Sequence, residues 1–144
     1  LHHELLANPI LIGDVADIQK LAASKDINIV GVEIRNPVKS PYFKEAATHL
    51  FERRKAKGMT LEQAEELVKT PLYFAAASLA LNKADTCVTG AVHTTGDVLR
   101  SALFTIGLKP GSKVISSVFV LKAESRQFSF IWYRIYTSCL LKSA

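Results

Sequence analysis

At 144 residues, 49% apolar and 22% charged, the sequence is long enough to bury one domain core and has the composition of an ordinary globular chain. No run approaches the roughly 18 consecutive apolar residues of a membrane-spanning helix, and the opening LHHELLANP is too short and too weakly basic for a signal peptide, so no membrane partner is expected. The net charge of +5 gathers near the C-terminus, where Lys122, Arg126, Arg134 and Lys142 face only Glu124, and the body lacks a basic stripe interleaved with aromatics, which sets nucleic acid aside as a partner.

The apolar run PILIG (9–13) predicts a buried strand ending at a glycine, and Asp14 then reads as the N-cap of a helix carrying Ile18, Leu21 and Ala22 at helical spacing. NIVGVEI (28–34) reads as a second strand and Asn36-Pro37 as a turn. Ser40-Pro41 predicts an N-cap with proline at the first helical position, opening a helix that runs to about Lys57 with Ala46, Ala47 and Leu50 inward and Gly58 as its stop. Thr60 with Gln63 forms a capping box for the next helix. Pro71 opens another, and PLYFAAASLAL (71–81) is apolar nearly all round, so it belongs inside. DTCVTG (85–90) reads as a third strand. A helix from Thr94 to Gly107 places Leu99, Ala102, Leu103 and Ile106 on one face. KPGSK (109–113) is a turn and VISSVFVL (114–121) a fourth strand. The order β-α-β-α-α-α-β-α-β predicts an α/β fold with a mostly parallel sheet and helices on both faces. Residues 122–144 differ in composition; FSFIWYRIY reads either as an edge strand or as sequence foreign to this fold.

Cys87 and Cys139 form no CxxC pair, which argues against a zinc site or a disulfide framework and suits a reducing, cytoplasmic setting. No metal ligand set and no Ser/His/Asp or Cys/His nucleophile pattern stands out, so no catalytic residue is assigned within the chain. Neither a GxGxxG loop nor a Walker A loop occurs.

The polar stretch TGAVHTTGDVLRS (89–101) concentrates the chemistry. In an open parallel sheet, ligands sit beyond the carboxyl ends of the strands. Thr94, with Asp97 three residues on, marks a helix N-terminus, whose free N–H groups and partial positive charge attract anions. Thr94 and Thr95 add hydroxyls, and Gly96 permits close approach to the backbone. Arg100 lies about one and a half turns in, and long helical side chains lean toward the N-terminus, so its guanidinium reaches back over the same anion. Each feature also has a structural explanation: a well-capped helix, a solvated arginine. A second cluster, RRKAKG (53–58), ends a helix, where cations suit the macrodipole without any ligand.

Together these clusters, in the order ANPILIG, SPYFKEAA, RRKAKGMTLEQAEELV, PLYFA, ADTCVTGAVHTTGDVLR and KPGSKVISSVF, resemble the phosphate acetyl/butyryl transferase family over about residues 6 to 121. The resemblance implies acetyl transfer between coenzyme A and phosphate, with acetyl-CoA and phosphate as partners and coenzyme A as a substrate rather than a cofactor. It implies two α/β domains with the active site in the cleft between them, usually as a homodimer. By the same resemblance Arg54 and Arg100 bind the anionic substrates, while Thr94 and Thr95 line the phosphate end of the cleft; Arg53 aligns less well. The mechanism implied is attack of the CoA thiolate on the carbonyl of acetyl phosphate, assisted by an aspartate, a serine and an arginine that lie further downstream in the family.

Ser101 departs from the proline that usually follows the motif arginine. The expectation is therefore a partial first domain of a two-domain acyltransferase over residues 1–121, with an atypical tail over 122–144 and little turnover by the chain alone. A phosphate butyryltransferase, or a regulatory module that holds acetyl-CoA or phosphate without catalysis, stays open as an alternative.

Overall fold

The computed structural model describes residues 7–108, 110–112, 119–123 and 126–131. The chain divides into two units, Leu1–Ile106 and Gly107–Ala144. In the first, strand β1 (Ile10–Ile12) leads into helix α1 (Val15–Ser24) and strand β2 (Glu33–Arg35). Helix α2 (Phe43–Arg54) follows, then a single 3₁₀ turn (Lys55–Lys57) and helices α3 (Leu61–Val68), α4 (Pro71–Ala80) and α5 (Thr95–Thr105). The second unit contains strands β3 (Phe119–Ala123) and β4 (Arg126–Ile131).

The fold is α/β, and its parallel sheet is small. β1 and β2 pair in parallel with Leu11 opposite Ile34. The ladder is extended by the Gly13 amide, which donates to the Arg35 carbonyl at 3.1 Å. β3 and β4 pair antiparallel, Val120 opposite Phe130, with an irregularity between Leu121 and Ala123. The stretch 126–131 of the compositionally odd tail is thus strand. The expected strand over 85–90 is not seen: those residues join no sheet among the described residues, and Val88 is 97% exposed. Its only adjacent apolar pair, Cys87-Val88, is hemmed in by Asp85, Thr86 and Thr89, too little apolar surface to hold a strand against a sheet. Residues 113–118 of the fourth expected strand, Lys109 of the turn before it, and residues 132–144 lie outside the described residues.

Most helix boundaries follow from capping chemistry. Asp14 accepts from the Ala16 amide at 2.9 Å. Thr60 and Gln63 exchange both hydrogen bonds of a capping box. Pro71 occupies the first turn of α4. Gly58, at φ 82°, adopts the left-handed conformation that ends the 3₁₀ turn at little steric cost. Ser40-Pro41 opens a turn rather than the helix itself. The Phe43 amide donates to the Ser40 carbonyl three residues back, and regular helix begins at Phe43.

The core lies among α2, α3 and α4. Ala46 and Leu50, Ala64 and Val68, and Phe74 with Ala77 form the buried stripes, each spaced three or four residues apart. Ile12, Phe51 and Phe104 pack around them. On α5 the buried face is Ser101 and Thr105, not the Leu99–Ala102–Leu103 stripe that the apolar pattern suggests. Their hydroxyls tolerate burial because each donates to a carbonyl within the helix, Ser101 to Val98 and Thr105 to Ser101, both at 2.8 Å. The Thr105 carbonyl also contacts His49 Nε2 on α2 at 2.8 Å, tying the two helices together.

Candidate functional site

The site is built on the first turn of α5. Gly90 turns the chain into the loop with φ 110°, a conformation that L side chains rarely adopt. Thr94 is extended (φ −69°, ψ 154°) and caps the helix. Its hydroxyl accepts from the Asp97 amide at 3.2 Å and donates to the Asp97 carboxylate at 2.6 Å. The Thr94 hydroxyl bond, with Arg100 and His93 nearby, holds the Asp97 carboxyl below the usual aspartate range. Thr95 is exposed, and its hydroxyl has no partner among the described residues. A Cβ added at Gly96 would meet only the Thr94 hydroxyl oxygen, at an ordinary 3.7 Å. The chain's own packing therefore does not require glycine at that position.

Arg54, the last residue of α2, packs against α5 near the opposite end of that helix. Its guanidinium carbon sits 3.8 Å from the centroid of the Phe104 ring on α5. Its Nε is buried without a hydrogen-bond partner among the described residues. Phe104 is four residues beyond Arg100, one turn along the same helix face. The Phe104 ring in turn tilts against that of Tyr73 on α4, centroids 6.3 Å apart and planes at 59°. Tyr73 is buried, and its hydroxyl lies within electrostatic reach of Arg54, Arg100 and Asp97. Burial pushes the phenol pKa up; the two arginines oppose the rise and Asp97 adds to it, so Tyr73 is a neutral hydrogen-bond donor at physiological pH.

Guanidinium groups from two helices thus both act electrostatically on Tyr73, Arg54 from its seat on Phe104 and Arg100 from α5. Among the described residues the ion pairs are Arg35–Glu33, Lys55–Glu52, Lys69–Glu66 and Lys83–Glu45; neither Arg54 nor Arg100 takes part in one. The Arg100 charge acts on the carboxylate of Asp97, and the helix terminus adds a partial positive charge of its own. That field suits an anion with several acceptor oxygens, a phosphate or a carboxylate.

Of the sequence-predicted site residues, Thr94 and Thr95 stand at the start of α5 with the Thr94 hydroxyl engaged in the cap, Arg100 is exposed on the same helix, and Arg54 packs on Phe104 toward the helix's other end. Arg53 is exposed. Cys87 is half-buried, and burial pushes its thiol pKa up, away from thiolate. Tyr73 and Phe104 are the members that sequence reasoning passes over. Tyr73 sits in a helix legible only as buried, and Phe104 falls off the predicted apolar face, although its i+4 spacing from Arg100 was available as a signal. Among the described residues no group of three or more His, Cys, Asp or Glu side chains is placed to hold a metal ion, and no helix is long and apolar enough to cross a membrane.

Comparison with known proteins gives this geometry a context. The phosphate acetyl/butaryl transferase family profile matches residues 1–137. The phosphate acetyltransferase of Acetivibrio thermocellus is 37% identical over 134 residues, 93% of this chain and 40% of that protein. The phosphate acetyltransferase of Clostridium acetobutylicum is 42% identical over 118 residues, 82% of this chain and 35% of its own length. Among solved structures, a phosphotransacetylase from Streptococcus pyogenes superposes with a TM-score of 0.77 at 30% identity, covering 90% of this chain and 40% of that one. The EutD phosphotransacetylase from Staphylococcus aureus gives 0.71 at 37% identity, covering 84% and 37%. The chain therefore spans about two fifths of the length of the relatives it matches, and it belongs to the phosphate acetyl/butyryl transferase family.

Proposed function

We propose that the chain contributes one wall of a phosphate acetyltransferase substrate site, holding an anionic group of coenzyme A or acetyl phosphate between Arg54 and Arg100. Thr95 supplies a hydroxyl, and Thr94 organises the helix mouth through its cap. The observation that carries this reading is the Arg54 guanidinium seated over Phe104, a residue one helical turn from Arg100, with no carboxylate partner for either arginine among the described residues.

The reaction is acetyl-CoA plus phosphate giving acetyl phosphate plus CoA, supported by family membership and by relatives that carry the acetyltransferase name. Those names favour acetyl over butyryl as the group moved. In the reverse direction the CoA sulfur attacks the carbonyl carbon of acetyl phosphate. A carbon–sulfur bond forms, the carbon–oxygen bond to phosphate breaks, phosphate departs with the electron pair, and the thiol proton passes to a base. Arg54 and Arg100 hold the substrate's negative charge in place while this happens. Coenzyme A enters as a substrate, and no resident cofactor or metal takes part. The family resemblance assigns the thiol base to a segment downstream of the matched motifs. In this reading the working enzyme is a cytoplasmic homodimer.

Calorimetric titration with acetyl-CoA tests the site. A charge-assisted hydrogen bond contributes about 1.5–3 kcal/mol, so Arg100→Ala is expected to weaken binding about 10- to 100-fold. Equal affinity in the variant and the unaltered chain would remove Arg100 from the site. An acetyl phosphate formation assay on the same samples separates transfer from binding alone.

A further inference from the structure

The arginine at the end of α2 is held in an unusual way. Arg54 has no carboxylate partner among the described residues, its buried Nε has no acceptor, and the guanidinium carbon lies 3.8 Å from the centre of the Phe104 ring. Hydrogen bonds normally fix a functional guanidinium, and none is present around this Nε. Among the described residues the aromatic face is the one specific contact that orients the group. Phe104 in turn is braced by Tyr73, and its backbone sits one helical turn from Arg100. We propose that Phe104 is the positioning residue of the anion site: its ring holds the Arg54 guanidinium flat and keeps it within a turn of Arg100, leaving the guanidinium donors free for the ligand.

The inference rests on the anion-site reading above and adds a residue that touches no substrate. A purely structural role for Phe104 predicts something different. Phe104 is only partly buried against the core, whereas Ser101 and Thr105 are the residues of α5 that are fully enclosed. Leucine at 104 would still fill apolar space but would offer no π face; tyrosine would keep the face.

The test uses the full chain and coenzyme A itself as the probe. Phe104→Leu is expected to weaken CoA binding about 3- to 30-fold, the range that loss of a cation–π contact corresponds to, while Phe104→Tyr restores affinity to near that of the unaltered chain. In an Arg54→Gln background, Phe104→Leu is expected to cause no further loss, because it acts through Arg54. The Arg54 Nε–H resonance supplies a readout independent of ligand. In the unaltered chain it is expected to be shifted upfield by the ring and slow to exchange with water, and Phe104→Leu should abolish both effects. A Phe104→Leu variant that leaves CoA affinity and the Arg54 resonance unchanged overturns the proposal, as does an equal loss in the Arg54→Gln background. Failure of the unaltered chain to bind CoA overturns the anion-site reading and this inference with it. Binding by the unaltered chain that Phe104→Leu leaves intact overturns the inference alone.

Discussion

At the mouth of α5 the Thr94 hydroxyl serves two bonds at once, accepting from the Asp97 amide and donating to the Asp97 carboxylate. Capping by threonine and a depressed aspartate pKa are therefore one phenomenon. The sign follows from linkage: a carboxyl whose folded pKa lies below its unfolded value adds stability above the ordinary aspartate range and loses it as pH falls through the folded value. Thr94→Ala should cost about 1 kcal/mol at neutral pH, and its deficit in melting temperature relative to the unaltered chain should shrink in acid as Asp97 protonates. Parallel melts at pH 7 and at a pH below the aspartate range check this; a deficit that grows in acid would contradict it. This cap was legible from Thr94 and Asp97 because their spacing alone defines it. The positions of Arg54 and Phe104 were not, since no local rule brings the end of one helix over the face of another some fifty residues along the chain.

Helices carried their own punctuation, and strands did not. Asp14, the Thr60–Gln63 capping box and Thr94 mark helix starts through bonds made within a few residues, Pro71 does so through its fixed φ, and each is found where the spacing puts it. A strand exists only through its partner. Residues 85–90 carry strand-like turn signals yet join no sheet among the described residues. Apolar patterning misled on α5, where small hydroxyl residues satisfied inside the helix take the buried face. The all-round apolar character of α4 was the more dependable signal, because a helix with no polar face has nowhere to go but inward. Phe74, fully buried at its centre, anchors the α2–α3–α4 core. Phe74→Ala should destabilise by about 3–5 kcal/mol, measured by urea denaturation. A change below about 1 kcal/mol would show that this cluster is not the core of the fold.

Across the whole molecule, the family was readable because its motifs pair residues with chemistry: two arginines and two threonines at set distances along the chain. The legible motifs end near residue 121, while the family match extends over residues 1–137. What motifs could not give is packing, and the fold supplies it by setting Arg54 at the end of α2 on Phe104 of α5, with Tyr73 of α4 against the same ring. The central claim is that Arg54 and Arg100 hold the same anion. A double-mutant cycle on CoA affinity tests it most directly, using the unaltered chain, Arg54→Gln, Arg100→Gln and the double variant. Two arginines sharing one ligand group predict that each single change weakens binding about 10-fold or more and that the double change costs clearly less than the product of the two. Strictly multiplicative losses, or a single variant that binds as tightly as the unaltered chain, would contradict the claim.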